Sequence, residues 1–309
     1  MRVFAIVALA CLGVATVNAQ VRTAFPEKRG LKPTDFPRTI ELADNIYGYE
    51  DLRNPGFTTV SLFVVGADGV LIADGQGSPD ATRRMLGEIA KVTAKPIKWY
   101  IVGSDHGDHT AGNSVLPKDI TYIVSKASKA QMERDAANPN RQPTAPPVVV
   151  PPSAMTTDRQ AVNVGGIEVQ AVYAGRAHTG GDLLVYLPQQ KILFMSEVYL
   201  NRVFPAMRSA YPTEWVSVID KALTMDVTRF VPGHGFIEEP QASRQELVEY
   251  RNAMRAVIAE VTRLHMMGLS ADAAAKQANW GPYREWFLVE QQGPIAVRKI
   301  YEEIEGKLK

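Results

Sequence analysis

Four of the five histidines in the chain lie in three short glycine-containing segments, and each segment directly follows a predicted strand. The segments are Gly103–His109 with His106 and His109, Ala177–Asp182 with His178, and Pro232–Gly235 with His234. Glycine permits tight backbone turns, so imidazoles from separate segments can point at one place. Imidazoles and carboxylates together suit zinc and neighbouring transition metals. The pattern indicates a metal site, whereas the fifth histidine, His265, lies in a predicted helix and is interpreted as a packing or surface residue.

Predicted strands and helices alternate in an order that can position these segments. The β-branched runs 58–65 and 70–73 predict a hairpin that turns at Gly66–Gly69. Helices are predicted at residues 79–92, 126–137 and 214–225, and the chain is mostly helical from Gln241 onward. Six prolines within residues 139–152 predict an exposed loop. Two sheets with helices on their outer faces would bury these elements.

Five motifs in this order resemble those of the metallo-β-lactamase superfamily. They are Leu71–Gly75, Val102–Asn113, Ala177–Asp182, Leu193–Glu197 and Val231–Gly235. The resemblance covers about residues 40–240, and the order of the motifs makes it far more specific than any one of them. It implies an α+β fold, a four-layer αββα sandwich with the active site at one edge of the two sheets. A helical C-terminal extension would then follow from about residue 240.

The resemblance also implies a centre for one or two zinc ions. The corresponding ligand positions are Asp108, His109 and His234 for one ion (site A), and Ser104, His106 and His178 for the other (site B). Glu197 stands where a carboxylate usually contacts both ions. In the family, metal ligands of this kind hold the ions that activate water for hydrolysis.

This sequence departs from the family pattern at two ligand positions. Ser104 replaces the first histidine of the motif, and a neutral hydroxyl is a poor zinc ligand. Glu197 replaces the usual aspartate and reaches one methylene further. We therefore expect site A to bind zinc more tightly than site B. An alternative alignment, in which Asp105 substitutes for the lost histidine, stays open.

The implied reaction is hydrolysis by a water molecule whose pKa zinc lowers toward about 7. Asp108 is expected to hold that water or accept its proton. With a single ion, His106 would be a free imidazole beside the water and is predicted to act as general base. A related subgroup of β-lactamases carries cysteine at the position of Glu197, which argues against a β-lactam substrate here.

The segment after the fourth motif is expected to overhang the cleft. Arg202 or Arg208 is predicted to bind a substrate carboxylate, and Phe204, Met207 and Tyr211 are predicted to line an apolar pocket. An ordinary surface loop is the alternative interpretation.

Composition gives no reason to expect a nucleic acid or an anionic membrane as partner. Lys and Arg number 34 and Asp and Glu number 33, so the net charge is +1. Cys11 is the only cysteine. It lies in the predicted signal peptide, so the mature chain is expected to have no thiol ligand or nucleophile.

The N-terminal residues resemble a signal peptide. A positive charge at Arg2 precedes the apolar run Val3–Val17, and the small residues before the expected cleavage after Ala19 complete the pattern. We expect residues 1–19 to be removed, residues 20–39 to form an arm, and residues 40–309 to form one hydrolase domain. The protein is then predicted to be periplasmic or extracellular, with no membrane attachment after cleavage.

The sequence therefore predicts a zinc-dependent hydrolase that acts on a small-molecule ester, lactone, thioester or β-lactam. One alternative is a catalytically impaired member of the same fold that binds a metal or a ligand. Another keeps the fold and performs redox chemistry with iron, which imidazole and carboxylate ligands would also accept.

Overall fold

The computed structural model describes residues 21–308, so the predicted signal peptide lies outside the described residues. Within this range, no helix combines the length and apolar character needed to cross a bilayer. The segment before the first strand contains two short 3-10 turns, Glu27–Arg29 and Pro33–Asp35. Arg29 fixes this segment to the domain through an ion pair with Glu238 at 2.5 Å.

The strands of the described range form two sheets. The first has the order β1-β2-β3-β4-β5-β6, with β1 Arg38–Ala43, β2 Ile46–Arg53, β3 Phe57–Val65, β4 Val70–Ala73, β5 Ile97–Ile101 and β6 Thr121–Ile123. The second has the order β11-β10-β9-β8-β7, with β7 Arg159–Val164, β8 Ile167–Val172, β9 Leu184–Leu187, β10 Ile192–Phe194 and β11 Arg229–Val231. Strands β4, β5 and β6 are parallel, as are β10 and β11, and the other neighbours are antiparallel.

The helices are α1 Pro79–Val92, α2 Gly107–Thr110, α3 Lys126–Ala136, α4 Pro212–Thr224, α5 Pro240–Met266, α6 Ala271–Gln277 and α7 Val289–Ile304. Local chemistry explains where the longer ones begin. The Ser78 hydroxyl accepts a hydrogen bond from Ala81 N, and proline follows it at the first helical position, so α1 starts there. Ser125 caps α3 in the same way by accepting from Ser128 N.

The two sheets face each other across an apolar core. Leu62 and Ile101 of the first sheet and Val185 and Phe194 of the second are fully buried in this shared core. Their alternation with outward-facing side chains follows from the two-residue period of a strand.

Helices cover the outer face of each sheet. Met85 of α1 and Met132 of α3 pack on the first sheet, whereas Trp215 of α4 and Val297 of α7 pack on the second. The layers are therefore helix, sheet, sheet and helix. The predicted α+β class and αββα sandwich are confirmed, and the last three helices add to the outer layer of the second sheet.

Candidate metal centre

The predicted ligands come together because their segments leave neighbouring strands at one edge of the sandwich. The turn with Asp108 and His109 follows β5, Glu197 follows β10 and His234 follows β11. Parallel β10 and β11 end side by side, which places Glu197 next to His234. A Cβ atom at Gly233 would lie 2.4 Å from the backbone carbon of Ser196, so only glycine permits this approach.

Site A and Glu197 form a compact donor group. The four ligand atoms lie within 4.8 Å of one another. His234 Nε2 lies 3.0 Å from Asp108 Oδ2 and 3.3 Å from both His109 Nε2 and Glu197 Oε1. A tetrahedral zinc ion with ligands at about 2.0–2.1 Å would hold its donors about 3.3 Å apart. His109 Nε2 lies farther from the two carboxylates, at 3.9 Å from Asp108 Oδ2 and 4.0 Å from Glu197 Oε1. Asp108, His109 and His234 therefore fit three positions around a zinc ion, and Glu197 or water can take the fourth.

Site B has two imidazoles and shares Glu197 with site A. His106 Nδ1 lies 2.9 Å from Glu197 Oε2 and 3.1 Å from His178 Nε2. His178 Nε2 lies 3.2 Å from Glu197 Oε1. The side chain of His106 is 29% exposed, whereas that of His109 in site A is fully buried. Site B thus offers fewer donors and more access to water than site A.

The serine that replaces the usual histidine hydrogen-bonds to a ligand. The buried Ser104 hydroxyl donates to Glu197 Oε2 at 2.6 Å, so it orients that carboxylate. Asp105, the alternative ligand, belongs to neither donor group of the described residues. Burial raises the pKa of its carboxyl group to about 6. The geometry does not support Asp105 as a substitute for the lost histidine.

Outer contacts fix the two buried imidazoles of site A. His234 Nδ1 donates to the Thr58 carbonyl oxygen at 2.8 Å, which leaves Nε2 to face the donor group. His109 Nδ1 lies 3.1 Å from Asp74 Oδ2, a contact between imidazole and carboxylate. The third ligand, Asp108, is held by an ion pair with Arg53. Each ligand of site A therefore has a partner that sets its orientation.

Neighbouring carboxylates favour the protonated forms of His106 and His109 in the metal-free protein. Burial alone would lower the pKa of His109, but Asp74 and, after it, Asp108 raise it to about 9. Burial is likewise outweighed at His106, where Glu197 raises the pKa to about 10. A cation must displace such protons when it binds. The role of His106 as general base stays a prediction.

The two ligand carboxylates are ionised. Burial opposes the charged form of Glu197, but His178 and His106 outweigh it and hold the pKa of Glu197 well below its usual range. Burial and Glu197 both act against ionisation of Asp108, yet contacts with the histidines of site A hold its pKa below the usual range. Two buried negative charges at one point favour a divalent cation.

Beside the donor groups lies an open cleft of about 220 Å³. Its walls come from three places in the chain. These are Arg53, Asn54, Pro55 and Phe57 of the β2–β3 hairpin, Leu200, Val203 and Ala206 after Glu197, and Leu288, Gln291 and Gln292 at the start of α7. Asp108, Glu197 and His234 complete the lining.

The structure places most of the predicted substrate residues outside the lining of this cleft. Arg202 binds the Glu246 carboxylate of α5 through two nitrogens, at 2.5 and 2.9 Å, so its charge is already paired. Phe204 is fully buried and packs on Trp280. Neither side chain lines the cleft because the segment turns inward against the C-terminal helices.

The other three predicted residues have different surroundings. Met207 is fully buried in the core. Tyr211 lies under the Arg176 guanidinium, 4.0 Å from ring centroid to charge, and does not line the cleft. Arg208 is exposed beside Ser209, whose hydroxyl lies 3.3 Å from His106 Nε2. A contact between Arg208 and a substrate near site B stays a prediction.

Sequence reasoning missed the hairpin and α7 as walls of the cleft. The hairpin had a signal, because Asn54, Pro55 and Gly56 separate two strand-like runs. The start of α7 carries no such sequence signal, because nothing in its local sequence indicates a contact with residues more than 50 positions earlier.

Comparisons with known proteins agree with this arrangement. The family model of the metallo-β-lactamase superfamily matches residues 53–234. The chain is 23% identical over 176 residues to the 2,4-dinitroanisole O-demethylase subunit alpha from Nocardioides sp. (strain JS1661), covering 56% of this chain and 52% of that one. It is 23% identical over 287 residues to the linear primary-alkylsulfatase from Pseudomonas sp. (strain ATCC 19151), covering 76% and 53%.

A solved structure is similar over most of the described range. It is the stereoselective inverting sec-alkylsulfatase from Pseudomonas sp., with a TM-score of 0.67 and 15% identity. The alignment covers 86% of this chain and 50% of that one. The chain spans about half the length of the curated relatives it matches.

The family match covers more than half of the chain, and its range contains every residue of both donor groups. The observed sandwich and the position of the centre at its edge agree with that match. The chain therefore belongs to the metallo-β-lactamase superfamily.

Proposed function

We propose that this protein is a zinc-dependent hydrolase that acts on a small ester, lactone or thioester. One observation carries the proposal: two groups of imidazole and carboxylate donors meet at Glu197, and this centre borders an open cleft. Buried ligands with fixed orientations beside a space for substrate are what metal-assisted hydrolysis requires.

The donor distances support zinc held by Asp108, His109 and His234 of site A, with a fourth position open to water. Bound there, the ion would supply a Lewis acid and lower the pKa of a water molecule toward about 7. Residues of the chain would position this water molecule. Asp108 is ionised and borders the cleft, so its carboxylate can hold the attacking water by accepting a hydrogen bond from it.

The overall reaction balances without a further reactant. Water adds its oxygen to the substrate carbonyl carbon, and the bond from that carbon to the leaving oxygen or sulfur breaks. The water proton ends on the leaving alcohol or thiol, and the acid product carries the new oxygen. Hydrolysis of a β-lactam would follow the same balance with nitrogen as leaving atom.

We propose one zinc ion at site A as the working state and weaker binding at site B. Site B lacks a fourth protein donor, and Ser104 directs its proton toward Glu197. The relatives are named for a dinitroanisole demethylation and for alkylsulfate hydrolysis, which are different reactions. The substrate of this chain therefore has to be inferred from its own cleft.

The test combines metal content with turnover. Protein purified without chelator is analysed for bound metal and assayed with 4-nitrophenyl butyrate, a δ-lactone and a chromogenic β-lactam. His234→Gln removes a ligand of site A. His265→Gln is the matched control, because His265 lies on α5 and is absent from both donor groups.

We expect about one zinc ion per chain and turnover of at least one substrate. His234→Gln should lower kcat/KM by more than the 10–100-fold that loss of an outer contact to a metal ligand typically costs. His265→Gln should leave it unchanged. Zinc binding without turnover of any substrate would favour the alternative of a catalytically impaired metal- or ligand-binding protein. Equal effects of the two variants would refute the assignment of the centre.

A further inference from the structure

The cleft beside site A has an uneven distribution of charge. Among the described residues, the acidic ones that line it are Asp108 and Glu197 of the donor group, and the one lysine or arginine is Arg53. Coordination of a divalent cation would neutralise the two carboxylates. The charge that then faces the cleft is the guanidinium of Arg53.

Arg53 is fixed at the rim with part of its hydrogen-bonding capacity unused. Its side chain is 37% exposed, and its guanidinium lies over the Phe57 ring at 5.2 Å from the centroid. Among the contacts of the described residues, it donates only from Nη1, to Asp108. An arginine has five N–H donors, so the edge formed by Nε and Nη2 can still bind a planar anion through two hydrogen bonds.

The remaining walls suit a short chain with a polar end. Leu200 and Val203 are buried apolar residues on one wall. Gln291 and Gln292, which also line the cleft, carry neutral amides that can donate to an anion without opposing its charge. A volume of about 220 Å³ is below the range of about 300–1,000 Å³ typical of pockets for drug-sized ligands, so the ligand is small.

We infer that the substrate is a small ester whose acyl chain ends in a carboxylate, and that Arg53 determines this specificity by binding that carboxylate. The inference rests on the proposed hydrolase function and narrows its substrate class. Bidentate pairing with arginine is the geometry that best recognises a carboxylate. The scissile carbonyl then lies toward the donor group, and the apolar wall contacts the methylene chain between the two ends.

Two esters of equal chain length test the inference. The 4-nitrophenyl monoester of glutaric acid carries a terminal carboxylate, and 4-nitrophenyl pentanoate carries a methyl group there. We expect the wild-type protein, loaded with zinc, to prefer the glutarate monoester by about 10–100-fold in kcat/KM, the range of one charge-assisted hydrogen-bonded pair. Arg53→Gln should abolish most of this ratio. The ratio cancels any common effect of the substitution on Asp108 or on metal content.

Arg83→Gln is the matched control, since Arg83 is an exposed arginine on α1 that pairs with Asp80. It should keep the wild-type ratio. An equal ratio in wild type and Arg53→Gln, with both esters hydrolysed, would overturn the specificity inference and leave the hydrolase function intact. Failure of the wild-type protein to hydrolyse either ester would instead count against the proposed function.

Calorimetry keeps the inference testable without turnover. Glutarate and pentanoate are titrated into the zinc-loaded protein, so that binding of one carboxylate to the metal is common to both. We expect glutarate to bind about 10–100-fold more tightly than pentanoate in wild type and nearly equally in Arg53→Gln. Equal affinities in the wild-type protein would overturn the inference.

Discussion

Substituting Asp74 by asparagine should weaken zinc binding although Asp74 contacts no substrate. This fully buried carboxylate joins three elements of the centre. Its Oδ1 accepts from Gly103 N at 2.6 Å, and its Oδ2 accepts from the Ser196 hydroxyl at 2.5 Å and lies 3.1 Å from His109 Nδ1. Asparagine has the same shape and tolerates the positive φ of 60° at this position, so the backbone need not change.

The magnitude follows from which atoms change. The amide oxygen can still accept from Gly103, but the amide nitrogen must then replace Oδ2 and turn its hydrogens toward His109. That favours the imidazole tautomer with the proton on Nε2, which is the atom that faces site A. Loss of a hydrogen bond to a charged group costs about 1.5–3 kcal/mol, which corresponds to about 10–100-fold in affinity.

Competition between the protein and a chromogenic chelator measures this zinc affinity. Asp80→Asn is the control, because Asp80 is exposed in the first turn of α1 and pairs only with Arg83 among the described residues. It should match wild type. An Asp74→Asn protein with an unchanged circular dichroism spectrum and an unchanged zinc affinity would refute the reasoning that Asp74 sets the tautomer of His109.

Three further substitutions test other parts of the structure. Burial raises the pKa of Glu50 to about 7 from its usual 4.5, so the folded state binds this proton more tightly than the unfolded state. The free energy of unfolding should therefore fall as pH rises between these two values. Urea unfolding between pH 4 and 8 should show that Glu50→Gln removes up to about 3 kcal/mol of this fall. Ser104→Ala removes the donor to Glu197 and should lower zinc affinity by about tenfold in the chelator assay, whereas a higher affinity would contradict its orienting role. Leu193→Ala opens a cavity in the core of the second sheet and should cost about 2–5 kcal/mol in denaturant unfolding.

Much of the fold was predictable because it depends on local patterns. The β-branched runs on either side of Gly66–Gly69 are β3 and β4, which pair antiparallel as the hairpin signal predicts. The helix predicted from residue 79 is α1, with its serine cap and first-turn proline. The proline-rich residues 139–152 form no helix or strand. Each of these features is decided within about fifteen residues.

The metal centre was predictable for a different reason. Its ligands must follow strand ends in tight turns, and glycines beside them mark those turns in the sequence. The hydrogen bond from Ser104 to Glu197 was not predictable. It depends on the extra methylene of Glu197 bringing Oε2 within reach of a hydroxyl that replaces an imidazole. Only the three-dimensional arrangement relates those two departures from the family pattern.

The residues that line the cleft could not be predicted from the sequence, because contacts between distant parts of the chain determine them. The sequence predicted that Arg202 could bind a substrate carboxylate. In the structure its guanidinium forms an ion pair with Glu246, which lies on a helix 44 positions later. Phe204 N donates to the Phe287 carbonyl oxygen, and Phe287 N donates to that of Arg202. These bonds turn the segment inward and bring the start of α7 to the cleft.

The metal ligands and one wall of the cleft come from different parts of the chain. The donor groups lie within residues 53–234, the range that the family model matches. Leu288, Gln291 and Gln292 lie beyond that range and form one wall of the cleft. A relative can therefore share the ligands and differ in the wall, so its named substrate does not follow from the shared centre. We propose that the β2–β3 hairpin and the start of α7 decide the substrate here, with Arg53 as the charged residue among them.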